Sequence, residues 1–126
     1  MKILSMLIFV GLALIHILPL SGVLGGERLR DLYGIQAQGD LSILMRHRAV
    51  LFGLLSLISV LAAFKPEIRS VAALLLGLSM ASFLVLAFLE APFGAPIRKI
   101  VVADIVGLAL LLTYLVMDFI KNRPPS

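Results

Sequence analysis

The sequence predicts an all-α integral membrane protein, a bundle of four transmembrane helices running up-down-up-down. Hydrophobic residues make up 61% of the 126 residues, charged residues make up 14%, and the mean hydropathy is +1.13. A soluble domain is only about 45–50% apolar. The apolar residues form four runs, and a helix needs roughly 20 of them to cross a hydrocarbon core of about 30 Å. We therefore expect one membrane domain with four spans.

Charged residues, prolines and glycines separate the four runs. Pro66 marks a turn between the second and third runs because proline cannot continue a helix interior, and Pro92 and Pro96 end the third run. Lys2 before the first run is also typical of a signal peptide, but the apolar part of a signal peptide is usually only about 7–15 residues long. The predicted spans are residues 3–20, 48–64, 70–90 and 97–120.

The loop between the first two spans, residues 21–45, is the longest polar segment. Part of it, residues 28–36, has apolar residues close to helical spacing: Leu29, Leu32, Tyr33 and Ile35. A short helix lying in the membrane interface is one interpretation. An irregular loop with a few buried leucines is the other.

The basic residues sit at the ends of the apolar runs, where they contact lipid headgroups. The net charge of +4 therefore does not indicate nucleic-acid binding. Four spans put both ends of this sequence on one membrane face, here called the terminus side, with five basic residues against six on the opposite loop side. If Arg46 and Arg48 belong to the bundle, the count becomes five against four, which favours cytoplasmic termini.

Polar residues on all four predicted spans are expected to meet in one layer beneath the loops. At 1.5 Å per residue, His16 lies about 21 Å beyond Lys2, and Asp104 lies about 9 Å inward from Arg98, so both fall in the loop-side half of the hydrocarbon core. The third span ends and the second begins at this level. The predicted polar layer consists of His16, Arg46, His47, Arg48, Glu90 and Asp104.

This polar layer has two interpretations, because an ionisable residue within a span is costly unless it is paired. It is either a network of ion pairs that fixes the register of the helices or a small polar cavity open to the outer face. In both cases a cation should lie near Asp104, and a guanidinium can bridge a carboxylate with two hydrogen bonds. We expect Arg46 or Arg48 to contact Asp104 or Glu90.

Several kinds of chemistry are not supported by the residues present. The chain has no cysteine, which excludes disulfides and thiolate ligands. Its two histidines lack the supporting spacing of a metal or haem site. The sequence also lacks a Gly-x-Ser-x-Gly elbow, a phosphate-binding loop and a dinucleotide fingerprint. We expect no metal and no cofactor.

Three sequence features resemble a family of small bacterial four-helix membrane proteins. They are His16 and Pro19 at the end of the first span, the tetrapeptide Leu-Tyr-Gly-Ile at 32–35, and the block Leu-Met-Arg-His-Arg-Ala-Val-Leu-Phe-Gly at 44–53. Members often carry the label phosphopantetheine adenylyltransferase, and their architecture is similar to that of DoxX-like proteins. The resemblance implies a four-helix fold in the bacterial inner membrane.

The label of that family would imply adenylyl transfer from ATP to phosphopantetheine. Soluble enzymes of that name present a His-x-Gly-His motif, whereas here His16 precedes Ile-Leu-Pro and His47 precedes Arg-Ala-Val. We expect instead a protein without enzymatic activity that binds membrane lipid, a hydrophobic small molecule or a protein partner. A small transporter or channel acting as a homo-oligomer is the alternative.

Overall fold

The structure, a computed structural model, describes residues 2–36 and 38–122. Within them the chain forms five α-helices and no strand, which confirms the all-α prediction. Four of the helical segments are long and apolar enough to cross a membrane, as expected of a multi-pass membrane protein. The α-helices are α1 (Lys2–Ile17), α2 (Gly26–Tyr33), α3 (Asp40–Phe64), α4 (Arg69–Leu89) and α5 (Ala95–Lys121).

Two short 3₁₀ segments join these helices. The first, Leu18–Leu24, continues α1 towards α2, and the second, Pro66–Ile68, makes the turn between α3 and α4. Around the bundle, α1 packs against α3 and α5, and α4 completes the ring between those two. The seam between α1 and α3 is the most extensive contact, and the seam between α3 and α4 is the thinnest of the ring.

Helix α3 begins at Asp40, eight residues before the start of the predicted span. Gly39 precedes it with a φ of 59°, a left-handed conformation that glycine adopts without steric cost. The apolar residues between 41 and 45 then continue the helical run into the membrane span. As a result, residues 46–48 lie two turns inside the helix rather than at its mouth.

Of the two interpretations of the long loop, the structure shows the short helix, α2. It ends at Gly34, which has a φ of 70° and donates its N–H to the Arg30 carbonyl at 2.7 Å, a common way to end a helix. Leu29 is fully buried between α3 and α5, against partly buried Met45, Ile97 and Ile100 among others. This apolar anchor holds α2 over the loop-side end of the bundle.

The main core lies on the terminus-side half of the bundle. Its largest buried side chains include Phe9, Leu12, Leu76 and Met80. The rings of Phe9 and Tyr114 meet edge to face, with centroids 4.9 Å apart, one of the arrangements that aromatic pairs prefer.

Arg69 closes the terminus-side end of α3. Its Nε donates to the carbonyl of Ala62 at 2.7 Å, and its Nη2 donates to the carbonyl of Ala63 at 2.9 Å. Both carbonyls belong to the last turn of α3, where no later helical N–H can reach them. The guanidinium also lies 5.8 Å from the centroid of the Phe9 ring. Arg69 thereby joins the ends of α3 and α4 to α1.

Ser56 links the two most closely packed helices. Its buried hydroxyl donates to the carbonyl of Ala13 on α1 at 2.9 Å. Ser59, also buried and one turn further along α3, donates instead to the carbonyl of Leu55 on its own helix. The two serines therefore differ in whether their hydrogen bond crosses the helix interface.

We expect Ser56→Ala to lower the free energy of unfolding by about 0.6 kcal/mol, the average for a hydrogen bond between membrane helices. Ser59→Ala is the matched control, since its hydrogen bond stays within one helix, and it should cost less. Reversible unfolding in mixed detergent micelles measures both variants. Equal losses would show that the contact between Ser56 and α1 contributes nothing specific.

Candidate functional site

A cavity of about 340 Å³ lies near the loop-side end of the bundle, between α1, α2, α3 and α5. We call it the loop-side cavity. Its wall is mainly apolar and includes Phe52 and Ile100. Four residues with ionisable side chains also line it: His16, Asp31, Lys99 and Asp104.

His16 lies in the last turn of α1. Its side chain is almost completely buried, at 1% exposure. Its Nδ1 lies 2.8 Å from the carbonyl of Leu12. A carbonyl only accepts hydrogen bonds, so Nδ1 carries the proton, and in the neutral ring Nε2 is then an acceptor. Among the described residues, that Nε2 is buried without a hydrogen-bond partner. The wall of the cavity thus contains a polar atom that the protein leaves unsatisfied.

Asp104 lies on the inward face of α5 and is only 6% exposed. The buried residues of α5 also include Val101, Gly107 and Leu111. A carboxylate buried away from water is stabilised by a nearby cation. Arg48, across the bundle on α3, provides an electrostatic interaction of this kind.

Phe52 connects these groups. The Arg48 guanidinium carbon lies 4.5 Å from the centroid of the Phe52 ring and 5.7 Å from that of Phe83 on α4, within the range of cation–π attraction. The centroid of the Phe52 ring also lies 6.0 Å from that of the His16 ring. Phe52 therefore contacts the arginine and lies close to the buried histidine.

The structure brings together three members of the predicted polar layer, namely His16, Arg48 and Asp104. Arg46 and His47 are exposed, because successive residues of a helix point about 100° apart and only one of these three faces the bundle. Arg46 instead donates from Nε to the carbonyl of Val23 at 2.9 Å, which ties the first 3₁₀ segment to α3.

Glu90 differs from the prediction in the same way. It is exposed at the end of α4, and the described residues of α4 contribute nothing to the wall of the loop-side cavity. Between Arg48 and Asp104 the structure shows an electrostatic interaction.

Two cavity residues, Asp31 and Lys99, were missed by the sequence prediction. Both lie near helix ends, where charged residues usually face water, and their contribution depends on how α2 folds over the bundle. Lys99 precedes Asp104 by five residues on α5, so its helical position alone did not indicate a shared site. The burial of Leu29, which fixes α2, is the contact that brings Asp31 to the cavity.

The wall of the loop-side cavity is mainly apolar, with a few polar groups. Within the part of the chain that the structure describes, no group of three or more histidine, cysteine, aspartate or glutamate residues could hold a metal ion. The cavity instead combines apolar walls with acceptors on His16 and Asp104 and a donor on Lys99. Comparison of the chain with protein-family models, curated proteins and solved structures finds no match.

We expect the charges of Asp104 and Arg48 to make coupled contributions to the stability of the protein. Removing one charge leaves the other in the bundle without this partner, whereas removing both does not. Asp104→Asn and Arg48→Gln should therefore cost less together than the sum of the single variants, with a coupling of about 1 kcal/mol in unfolding free energy.

The control for this cycle pairs Asp104→Asn with Arg46→Gln. Arg46 lies on the same helix and carries the same charge, but it bonds to Val23, so this pair should be additive within about 0.5 kcal/mol. Denaturation in detergent gives all the values. Equal coupling for the two arginines would contradict a specific interaction between Arg48 and Asp104.

Proposed function

We propose that this membrane protein binds a small amphiphilic molecule in the loop-side cavity and that the ligand donates a hydrogen bond from a hydroxyl group. The observation that carries the proposal is the Nε2 of His16, which is buried on the cavity wall without a partner in the described chain. Leaving a buried acceptor unsatisfied costs about 1–3 kcal/mol. A hydroxyl donor on a bound ligand would offset that cost.

The size and lining of the cavity support a small ligand. Its volume of about 340 Å³ is near the lower end of the range for small-molecule sites, about 300–1,000 Å³. Such sites are mostly apolar with a few polar groups that orient the ligand, and the apolar residues around His16 and Asp104 fit this description. A ligand soluble in the membrane could place its apolar part against Phe52 and Ile100.

Binding without catalysis is the simpler function for this set of residues. Three polar groups on the wall have roles in holding a ligand: His16 and Asp104 accept hydrogen bonds, and Lys99 donates them. The family resemblance noted from the sequence implies a four-helix fold in the membrane. We do not extend it to adenylyl transfer, because the motifs of that reaction are missing from the sequence.

We expect 4-hexylphenol to raise the melting temperature of the purified protein more than 4-hexylanisole does. The two probes share their ring and alkyl chain, but only the phenol can donate a hydrogen bond. A ligand stabilises the folded state by RT ln(1 + [L]/Kd), so a difference between the probes reports the donor. Circular dichroism during heating in detergent measures the melting temperature with each probe.

His16→Phe should abolish the difference between the two probes, because it keeps an aromatic ring and removes the acceptor. His47→Phe is the control: it makes the same substitution at an exposed histidine outside the cavity and should retain the difference. Equal stabilisation of the unsubstituted protein by phenol and anisole would refute the role of the ligand hydroxyl.

We further propose that the protein resides in the bacterial inner membrane with its termini in the cytoplasm. Both arginines lie inside α3, about two turns from its start and not in the loop, which supports counting them with the bundle. The charge count then favours the terminus side as the cytoplasmic side. The loop-side cavity would face the opposite compartment.

A reporter fused after Ser126 tests this orientation. Green fluorescent protein should fluoresce there, since it folds in the cytoplasm, whereas alkaline phosphatase at the same position should be inactive. Fusions at Gln38, in the long loop, should give the reverse pattern. Equal signals from both reporters at Ser126 would show insertion in two orientations.

A further inference from the structure

A second concave surface lies on the outside of the bundle, along the thin seam between α3 and α4. This outer groove has a volume of about 560 Å³. Its lining includes Leu55 and Ile58 from α3, and Leu75 and Ser79 from α4. It is separate from the loop-side cavity, to which the described residues of α4 contribute nothing.

The groove is apolar along its length. Ser79 and Ser82 line it among leucines, and their small side chains leave space between the helices. The hydroxyl of Ser82 donates to the carbonyl of Ser79 at 3.0 Å, a local bond that serines on helices often make. This hydrogen bond satisfies the Ser82 hydroxyl within its own helix. The groove thus offers a surface suited to a hydrocarbon chain.

The length of the groove matches one leaflet of a bilayer. On α3 it extends from Arg48 to Ile58, about 15 Å at 1.5 Å per residue, and on α4 from Leu75 to Leu86, about 16 Å. Half of a hydrocarbon core of about 30 Å is about 15 Å. The groove is therefore about as long as one leaflet is thick.

Arg48 places a positive charge at the loop-side end of this groove. The rings of Phe52 and Phe83 hold its guanidinium where the two helices meet. A guanidinium matches the geometry of a phosphate group and binds it with paired hydrogen bonds. A second copy of this chain seated in the groove would instead place apolar side chains against that charge.

We propose that the outer groove binds one anionic phospholipid of the loop-side leaflet, with an acyl chain between α3 and α4 and the phosphate at Arg48. The lipid would seal the thinnest seam of the bundle. The apolar walls, the length of one leaflet and the charge at the headgroup end are properties of the groove alone. The proposal is therefore independent of any ligand in the loop-side cavity.

Native mass spectrometry of the full chain tests this site. The protein is released from micelles that contain equal amounts of dioleoylphosphatidylglycerol and dioleoylphosphatidylcholine, which share their acyl chains. One basic residue near a membrane surface contributes about 1 kcal/mol, so retained phosphatidylglycerol should exceed phosphatidylcholine about fivefold. Equal retention of the two lipids would overturn the proposal.

Three variants locate the site. Arg48→Gln should remove the preference for phosphatidylglycerol, whereas Arg46→Gln, which removes the same charge two residues away, should retain it. Ser79→Phe should reduce the retention of both lipids by filling the groove without altering Arg48. Circular dichroism establishes that each variant is folded, and if Arg48→Gln is not, the unsubstituted protein and Ser79→Phe still decide the result.

Three further results would contradict the proposal. They are an unchanged lipid preference in Arg48→Gln, unchanged lipid retention in Ser79→Phe, and a lipid-free dimer as the main species, which would identify a second copy as the occupant. Failure of this test would leave the cavity proposal standing, because none of the three variants changes a residue that lines the loop-side cavity.

Discussion

Hydrogen bonding away from water is the constraint on which this bundle depends. In the hydrocarbon core a polar side chain has no water to bind, so it must find a partner within the protein. Several buried or partly buried donors here use backbone carbonyls: Ser56 bonds to α1, Arg69 to the end of α3, and His16 to its own helix. Of these, the bond from Ser56 joins the pair of helices with the most extensive contact, which gives α3 a fixed position beside α1.

That position has consequences at the loop-side end. With α3 against α1, Phe52 lies beside His16, and Arg48 comes close enough to Asp104 to interact with it electrostatically. Leu29 anchors α2 over the same end and brings Asp31 to the cavity wall. The loop-side cavity is therefore a product of helix packing and of the folded loop together. Neither element would form it alone.

Phe52 is shared by the two surfaces of interest. It lines both the loop-side cavity and the outer groove, and Arg48 packs on its ring. Phe52 is therefore the part of the wall that the two surfaces have in common.

Local periodicity was enough to predict much of the fold. Hydrophobic runs broken by prolines give the four long helices, and apolar spacing indicated α2. These features depend on residues close together in the chain. Sequence alone therefore determined the class of fold, and it placed His16 and Asp104 in the same half of the membrane.

Only the tertiary structure decided which polar residues meet. The rotation of α3 is set by its packing on α1, so Arg48 faces Phe52 while Arg46 and His47 lie outside. The loop fold, held by Leu29, decided that Asp31 joins the cavity. These arrangements depend on contacts between residues far apart in the chain. Helical spacing within one segment does not predict such contacts.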